Sequence, residues 1–99
     1  MSIRKATNEQ GEKKMMALIH IDWSGTEEEL KKYDEAFKKT AEKTEGVTFE
    51  GRLTPWNKKY NYTMVLMMDN ISKFHEFRLN FVDRSAAKPV SHGEYEFYS

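Results

Sequence analysis

Two hydrophobic periodicities follow each other in the first half of the chain. Residues 15–23, MMALIHIDW, are rich in apolar and β-forming side chains and predict a strand, which a Ser-Gly pair ends. Thr26 then opens Thr-Glu-Glu-Glu, a capping box in which Glu29 returns a hydrogen bond to the N-cap backbone. Apolar residues continue at helical spacing, so residues 26–45 are predicted to form an amphipathic helix that Gly46 ends.

The second half carries the same two patterns in a different order. Two segments of period two, separated by a Pro-Trp-Asn-Lys loop, predict a hairpin, and a second helix and a short strand follow it. The predicted elements are strand 15–23, helix 26–45, strand 47–53, strand 60–68, helix 71–84 and strand 94–98.

The order βαββαβ is that of ferredoxin-like α+β domains, in which a four-stranded antiparallel sheet carries two helices on one face. We therefore expect a single ferredoxin-like α+β domain over residues 15–99. Residues 1–14 are polar and are expected to form a flexible N-terminal arm.

Alternation within the strands divides the sheet into two faces. In the first strand, Ile19 and its alternate neighbours should pack on the helices, and His20 and Asp22 should point the other way. The face without helices is predicted to mix polar with apolar side chains: Leu18, His20, Asp22, Glu50, Arg52, Asn61, Thr63, Val65 and Met67. Such a mixture is typical of a semi-buried cavity, which water, a nucleic acid or a second subunit would have to cover.

Composition narrows the choice of partners. The chain has 16 basic and 16 acidic residues, so no net field attracts nucleic acid or an anionic membrane. It has no cysteine, which excludes disulfides, thiolate metal sites and a cysteine nucleophile. With no apolar segment long enough for a membrane span or a secretory signal, a cytoplasmic location is expected. The small core of a 99-residue domain with 32% charged residues favours a homodimer.

His20 and Asp22 are the first candidates for chemistry. Side chains two apart on a strand project to the same side about 6–7 Å apart, so both could reach one ligand. An imidazole oriented by a carboxylate can serve as a general base, and a polar pair at an interface is the competing interpretation. No third ligand and no phosphate-binding or nucleophile motif accompanies them, so neither a metal nor a cofactor is predicted.

Five other residues complete the candidate site. His75 falls in the apolar sector of the second helix and is a third catalytic candidate, or else a hydrogen-bonded histidine at the core rim. Arg52, Thr63 and Met67 are expected to line the cavity, with His75 near its rim. Trp56, in the hairpin loop, either binds a ligand or partner or folds back over the sheet edge.

The segments EGVTFEGRL at 45–53 and MMDN at 67–70 resemble those of the dimeric α/β-barrel superfamily, which includes antibiotic-biosynthesis-monooxygenase-like and small uncharacterised proteins. The resemblance covers residues 15–98 and implies a homodimer in which two sheets face each other. Haem-degrading members use an Asn on the first strand, a Trp on the third and a His on the second helix. Only His75 has a counterpart here, so the resemblance does not extend to haem degradation.

Residues 58–65, KKYNYTMV, also look similar to the third-strand signature of RNA-recognition motifs, in which aromatic side chains stack on bases. Lys59 and Val65 depart from that signature, and Ile19 stands where the first strand should offer an aromatic ring. Binding of RNA is therefore a minor alternative.

Two functions stay open at this point, and the sequence leaves open whether the protein is an enzyme. In the first, a cavity at the sheet of a homodimeric α/β barrel, between sheet and helices, binds or transforms a small organic ligand. In the second, the domain is a structural or regulatory interaction module without catalysis.

Overall fold

The computed structural model describes residues 14–56 and 59–99, so all of the predicted arm except Lys14 lies outside the described residues. The elements in chain order are strand β1 (Met15–Trp23), helix α1 (Glu27–Lys43), strand β2 (Val47–Leu53), strand β3 (Tyr62–Met68), helix α2 (Ile71–Leu79), a short 3₁₀ helix (Arg84–Ala87) and strand β4 (Val90–Tyr98). The predicted βαββαβ order is confirmed.

The four strands form one antiparallel sheet in the order β2-β3-β1-β4. Both helices pack on one face, where Ile19 of β1 and Leu66 of β3 belong to a single buried cluster with both helices. Phe37 of α1 and Phe77 of α2 are buried there with ring centroids 5.3 Å apart. This arrangement confirms the ferredoxin-like α+β fold, and within the described residues no element covers the opposite face.

Helix α1 begins at the predicted capping box. The Glu29 amide donates to Thr26 Oγ1 at 3.2 Å, and the Thr26 amide donates to Glu29 Oε1 at 3.0 Å. Hydrogen bonds from the Thr26 backbone and side chain hold the pKa of Glu29 below its ordinary value. The helix then buries Leu30, Tyr33 and Phe37 against the sheet, as its apolar spacing predicts.

Strand β2 carries a bulge that the alternation did not reveal. Its pairing with β3 shifts between Phe49 and Gly51, and Gly51 has φ of 134°. The extra residue exchanges the faces of the two residues after it. Arg52 therefore lies on the helix side, where its Nε donates to Asp34 Oδ1 at 2.9 Å, and Leu53 lies on the uncovered side opposite Thr63. The prediction that Arg52 lines a cavity on the uncovered face is wrong for this reason.

Helix α2 ends at Leu79, five residues earlier than predicted. The chain then turns onto α1, where the Val82 amide donates to Thr40 Oγ1 at 3.1 Å and Asn80 Nδ2 donates to Thr44 Oγ1 at 3.1 Å. The Thr40 and Thr44 hydroxyls thus accept hydrogen bonds from these two N–H groups. In a longer α2, the Val82 amide would donate within the helix and the Asn80 side chain would be solvated.

The face that α2 buries contains Phe74 and Phe77. His75 lies about 100° around the helix from Phe74 and is exposed. Ile71 and Leu79 share its side of the helix and are 51% and 64% exposed. His75 thus lies beside apolar side chains, as predicted, but this side of α2 is exposed, and the prediction that His75 lies at the rim of a cavity is wrong.

The third strand begins at Tyr62 instead of residue 60 because the Asn61 side chain replaces a backbone pair. Asn61 Nδ2 donates to the Trp23 carbonyl at 2.8 Å, and Asn61 Oδ1 accepts from the Trp23 amide at 2.7 Å. The last strand begins earlier than predicted, at Val90, which pairs with Trp23. Neither helix of the described residues is long and apolar enough to cross a membrane.

Candidate functional site

His20 lies at the centre of a hydrogen-bonded network on the uncovered face of the sheet. It is 8% exposed, and its two ring nitrogens contact side chains from the strands on either side. Nδ1 is 2.8 Å from Thr63 Oγ1 of β3, and Nε2 donates to Glu96 Oε1 of β4. Because the carboxylate accepts from Nε2, Nδ1 of neutral His20 is left to accept from the Thr63 hydroxyl. The network fixes both the tautomer and the orientation of the imidazole.

Tyr60, His92 and Tyr98 complete the surroundings of this histidine. Tyr60, 5% exposed, stacks on His20 with centroids 5.7 Å apart and on His92 with centroids 5.8 Å apart. Tyr98 Oη donates to Glu96 Oε2 at 2.7 Å. Hydrogen bonds from Tyr98 and His20 favour the ionised carboxylate and hold the pKa of Glu96 below its ordinary value.

Apolar side chains surround the network on the same face. In the register of β1, β2 and β3 they are Leu18, Leu53, Val65 and Met67. We call the surface made by His20, Thr63, Glu96 and these four residues the open face. Leu53 is 43% exposed, and Leu18 and Met67 are half-buried. Partly exposed apolar side chains grouped on one face of a sheet are typical of a surface that another molecule covers.

The lowered pKa of Glu96 makes a testable contribution to stability. A folded-state pKa below the unfolded one stabilises the protein above the unfolded pKa, and this contribution is lost as the pH falls through the folded pKa. We therefore expect Glu96→Gln to lower the free energy of unfolding at pH 7, and the difference from wild type to shrink between about pH 5 and pH 3. Urea denaturation across this pH range measures it.

Glu50→Gln is the matched control, because Glu50 is exposed on the β2 bulge and makes no ion pair within residues 14–56 and 59–99. It should change the unfolding free energy little at any of these pH values. A Glu96→Gln effect that stays constant from pH 7 to pH 3 would contradict the role assigned to the ionised carboxylate.

A second feature, a pocket, lies on the other side of the sheet, between the sheet and the helices. Its volume is about 300 Å³, at the lower end of the range of small-molecule sites. Ile19, which is adjacent to His20 and points the opposite way, forms part of its floor. Six aromatic rings line it, and we call it the aromatic pocket: Tyr33, Phe37, Phe74, Phe77, Phe81 and Tyr95.

The aromatic pocket continues into a neighbouring hollow of about 390 Å³. The two share Ile19, Tyr33, Ala87 and Tyr95, so a longer ligand could extend past the two tyrosines toward β4. Burial raises the pKa of Tyr33, which keeps its phenol neutral and able to donate a hydrogen bond. Arg78 and Arg84 lie at the same pocket, and no acidic side chain of the described residues lines it.

The predicted site residues do not all come together. His20 and Thr63 are hydrogen-bonded, and Met67 lies on the same face. Asp22 is exposed at the end of β1, where its Oδ2 accepts from Ser91 Oγ at 3.4 Å. Trp56 is fully exposed and does not fold back over the sheet edge.

No group of three or more His, Asp or Glu residues is placed to hold a metal ion within the part of the chain that the structure describes. The two tyrosines of the RNA-recognition comparison do not share an exposed face either. Tyr62 packs against the core under the Arg52 guanidinium, and Tyr60 precedes the strand and lies between two imidazoles.

Sequence reasoning placed Thr63 on the face of His20 but missed Glu96 and Tyr98, and it did not predict the aromatic lining of the pocket. Glu96 and Tyr98 alternate along β4, and that period could have placed them on the face of His20. The pocket has a weaker signal, because Phe81 and Arg84 lie in a segment that was predicted to be helical.

No protein-family model and no curated protein sequence matches the chain. Solved structures do match it, at the level of the fold. A ferredoxin-like Dabb-family protein from Mesorhizobium loti superposes with a TM-score of 0.66 at 17% identity, covering 87% of this chain and 95% of its own. This chain has the ferredoxin-like fold of that protein.

Two further structures are similar. SnoaB, a cofactor-independent oxygenase from Streptomyces nogalater, gives a TM-score of 0.62 at 12% identity, with 87% of this chain and 91% of SnoaB covered. A dimeric ferredoxin-like protein of unknown function from Thermobifida fusca gives 0.59 at 12% identity, with 87% and 90% covered. The predicted resemblance to monooxygenase-like α/β-barrel proteins is thus confirmed at the level of the fold. Identities this low show a shared fold and nothing more.

Proposed function

We propose that this protein is a homodimer that binds a small, planar organic molecule in the aromatic pocket of each subunit. The observation that carries the proposal is the pocket itself, a hollow of about 300 Å³ lined by six aromatic rings between sheet and helices. Flat apolar walls of this kind favour a flat apolar ligand, since rings gain both burial and stacking contacts. The fold of SnoaB, an oxygenase that needs no cofactor, supports a site formed by protein side chains alone.

The homodimer is supported by the open face. Its half-buried Leu18 and Met67 border a buried imidazole, and a second copy would remove this apolar surface from water. The similar Thermobifida fusca protein is described as dimeric. In this arrangement, His20 serves the interface and Ile19, on the opposite side of the same strand, serves the pocket.

Titration calorimetry with 2-naphthamide and 2-naphthoate tests the binding proposal. Both probes carry the same fused ring, which matches a pocket of this size. At about 0.3 kcal/mol per non-hydrogen atom, we expect at least one of them to bind with a dissociation constant near or below about 1 mM. Binding of neither probe at millimolar concentration would favour the alternative, a structural or regulatory module without a ligand.

A variant that fills the aromatic pocket tests whether the probe binds there. Ala87 lines both hollows, so Ala87→Phe should fill the space and abolish binding of whichever probe binds. Ala86→Phe is the matched control, because Ala86 lies next to Ala87 in the 3₁₀ helix but lines neither hollow. Loss of binding in both variants, or in neither, would place the probe elsewhere on the protein.

A further inference from the structure

We infer that the ligand of the aromatic pocket is an anion, a planar aromatic carboxylate, which Arg78 and Arg84 hold at the pocket mouth. This inference rests on the proposed binding function and specifies its substrate class. The aromatic rings explain affinity for any flat molecule, whereas the two guanidinium groups select for charge.

The charge of the lining is unbalanced. Arg78 and Arg84 both border the pocket, and among the residues that the structure describes no Asp or Glu lines it. Within residues 14–56 and 59–99, no carboxylate lies within 4.0 Å of either guanidinium. Arg52 provides the contrast, because its Nε bonds both oxygens of Asp34 at 2.9 and 3.1 Å. Two cations at one pocket, without a counterion among the described side chains, repel each other, and a bound carboxylate would relieve that repulsion.

Both arginines are held in place at the mouth. The Arg78 guanidinium lies over the ring of Tyr95, with Cζ 5.8 Å from the ring centroid. Arg84 Nη2 donates to the Arg78 carbonyl at 3.5 Å, close to the C-terminal end of α2. A guanidinium has five N–H donors, so each retains several for a carboxylate.

Two phenols complete the set of donors. Tyr33 and Tyr95 line both hollows, and neither hydroxyl makes a hydrogen bond to another residue in the described part of the chain. The polar groups at the pocket are therefore mainly donors, which suits a carboxylate better than a cationic or purely apolar ligand. The apolar floor of Phe74 and Phe77 would take the ring that carries the carboxylate.

The two probes of equal shape test this inference, because 2-naphthoate and 2-naphthamide differ essentially in charge. We expect wild-type protein to bind 2-naphthoate at least about tenfold more tightly than 2-naphthamide at low salt, with the preference shrinking as ionic strength rises. In the double variant Arg78→Gln, Arg84→Gln, the naphthoate affinity should fall to that of naphthamide. The naphthamide affinity should stay within about twofold, which also reports that the pocket is intact.

Arg52→Gln is the control, since it makes one change of the same kind on the helix side of the sheet but outside the pocket. It should leave the preference for naphthoate unchanged. Equal affinity of wild-type protein for both probes would overturn the inference while leaving the proposed binding function intact. A preference for naphthoate that survives in the double variant would also overturn it, by placing the anion elsewhere. Binding of neither probe would remove the proposed function and this inference together.

Discussion

Leu18→Glu should convert the proposed homodimer into a folded monomer. Leu18 is half-buried at the middle of the open face, where it pairs with Val65 on one side and Glu96 on the other. In a monomer, a glutamate there remains partly in water, so the subunit should keep its fold. In the dimer, the new carboxylate would be buried beside Glu96 without a partner, at a cost of several kcal/mol. Light scattering at micromolar concentration should then give a mass near 11.7 kDa, and circular dichroism should be unchanged.

The chain offers a matched control for this experiment. Leu79→Glu makes the same substitution at a leucine that is 64% exposed on the outer side of α2, on the helix side of the molecule. It should leave the dimer intact. A wild-type protein that is already monomeric at micromolar concentration contradicts the proposed homodimer. A dimer that survives Leu18→Glu but not Leu79→Glu would instead place the interface on α2.

The sequence was sufficient for the fold because each element has its own local signal. The capping box at Thr26 and the period-two segments act over a few residues, and the structure reproduces them within short shifts of their ends. The face of Arg52 was not predictable in this way. One extra residue in β2 exchanges the two faces for the strand residues that follow it. Gly51 was the sole local sign of that bulge.

The candidate site shows the limits of sequence reasoning more clearly. Alternation places His20 on the uncovered face, but it does not show that Thr63 and Glu96 meet the imidazole, since those residues are 43 and 76 positions away. The interpretation of His75 failed because α2 buries the side that carries Phe74 and Phe77, and the apolar residues beside His75 do not reach the core. Beyond Leu79, the Val82 amide bonds the Thr40 hydroxyl and the Asn80 side chain bonds the Thr44 hydroxyl, and both bonds depend on tertiary packing.

The early end of α2 also explains the aromatic pocket. Phe81 leaves the helix and packs against α1, with its ring 5.3 Å from Phe37 and 6.2 Å from Tyr33. The 3₁₀ helix that follows carries Arg84 and Ala87 to the mouth. An α2 that continued to residue 84 would place these side chains differently. The early end of α2 thus also shapes the aromatic pocket.

Phe77→Ala should be the most destabilising of the substitutions considered for the described residues. Phe77 is 2% exposed and joins the ring cluster of both helices, with Phe37 at 5.3 Å and Phe81 at 6.0 Å. Removing a fully buried phenyl ring loses its transfer free energy and leaves a cavity, which together cost about 3–5 kcal/mol. Urea denaturation at a fixed protein concentration measures this loss, because the stability of a dimer depends on concentration.

Phe81→Ala is compared with Phe77→Ala to distinguish the contribution of a ring to the core from its contribution to the pocket. Phe81 belongs to the same cluster and lines the same pocket but is only half-buried, so its removal should cost clearly less than that of Phe77. Both variants widen the pocket, and both should weaken naphthoate binding by loss of ring contacts. If the two variants lose equal stability, the core does not centre on Phe77. If they lose stability in the expected order while naphthoate binds as in wild type, the ring cluster serves the fold alone, and the ligand proposed for this pocket lies elsewhere.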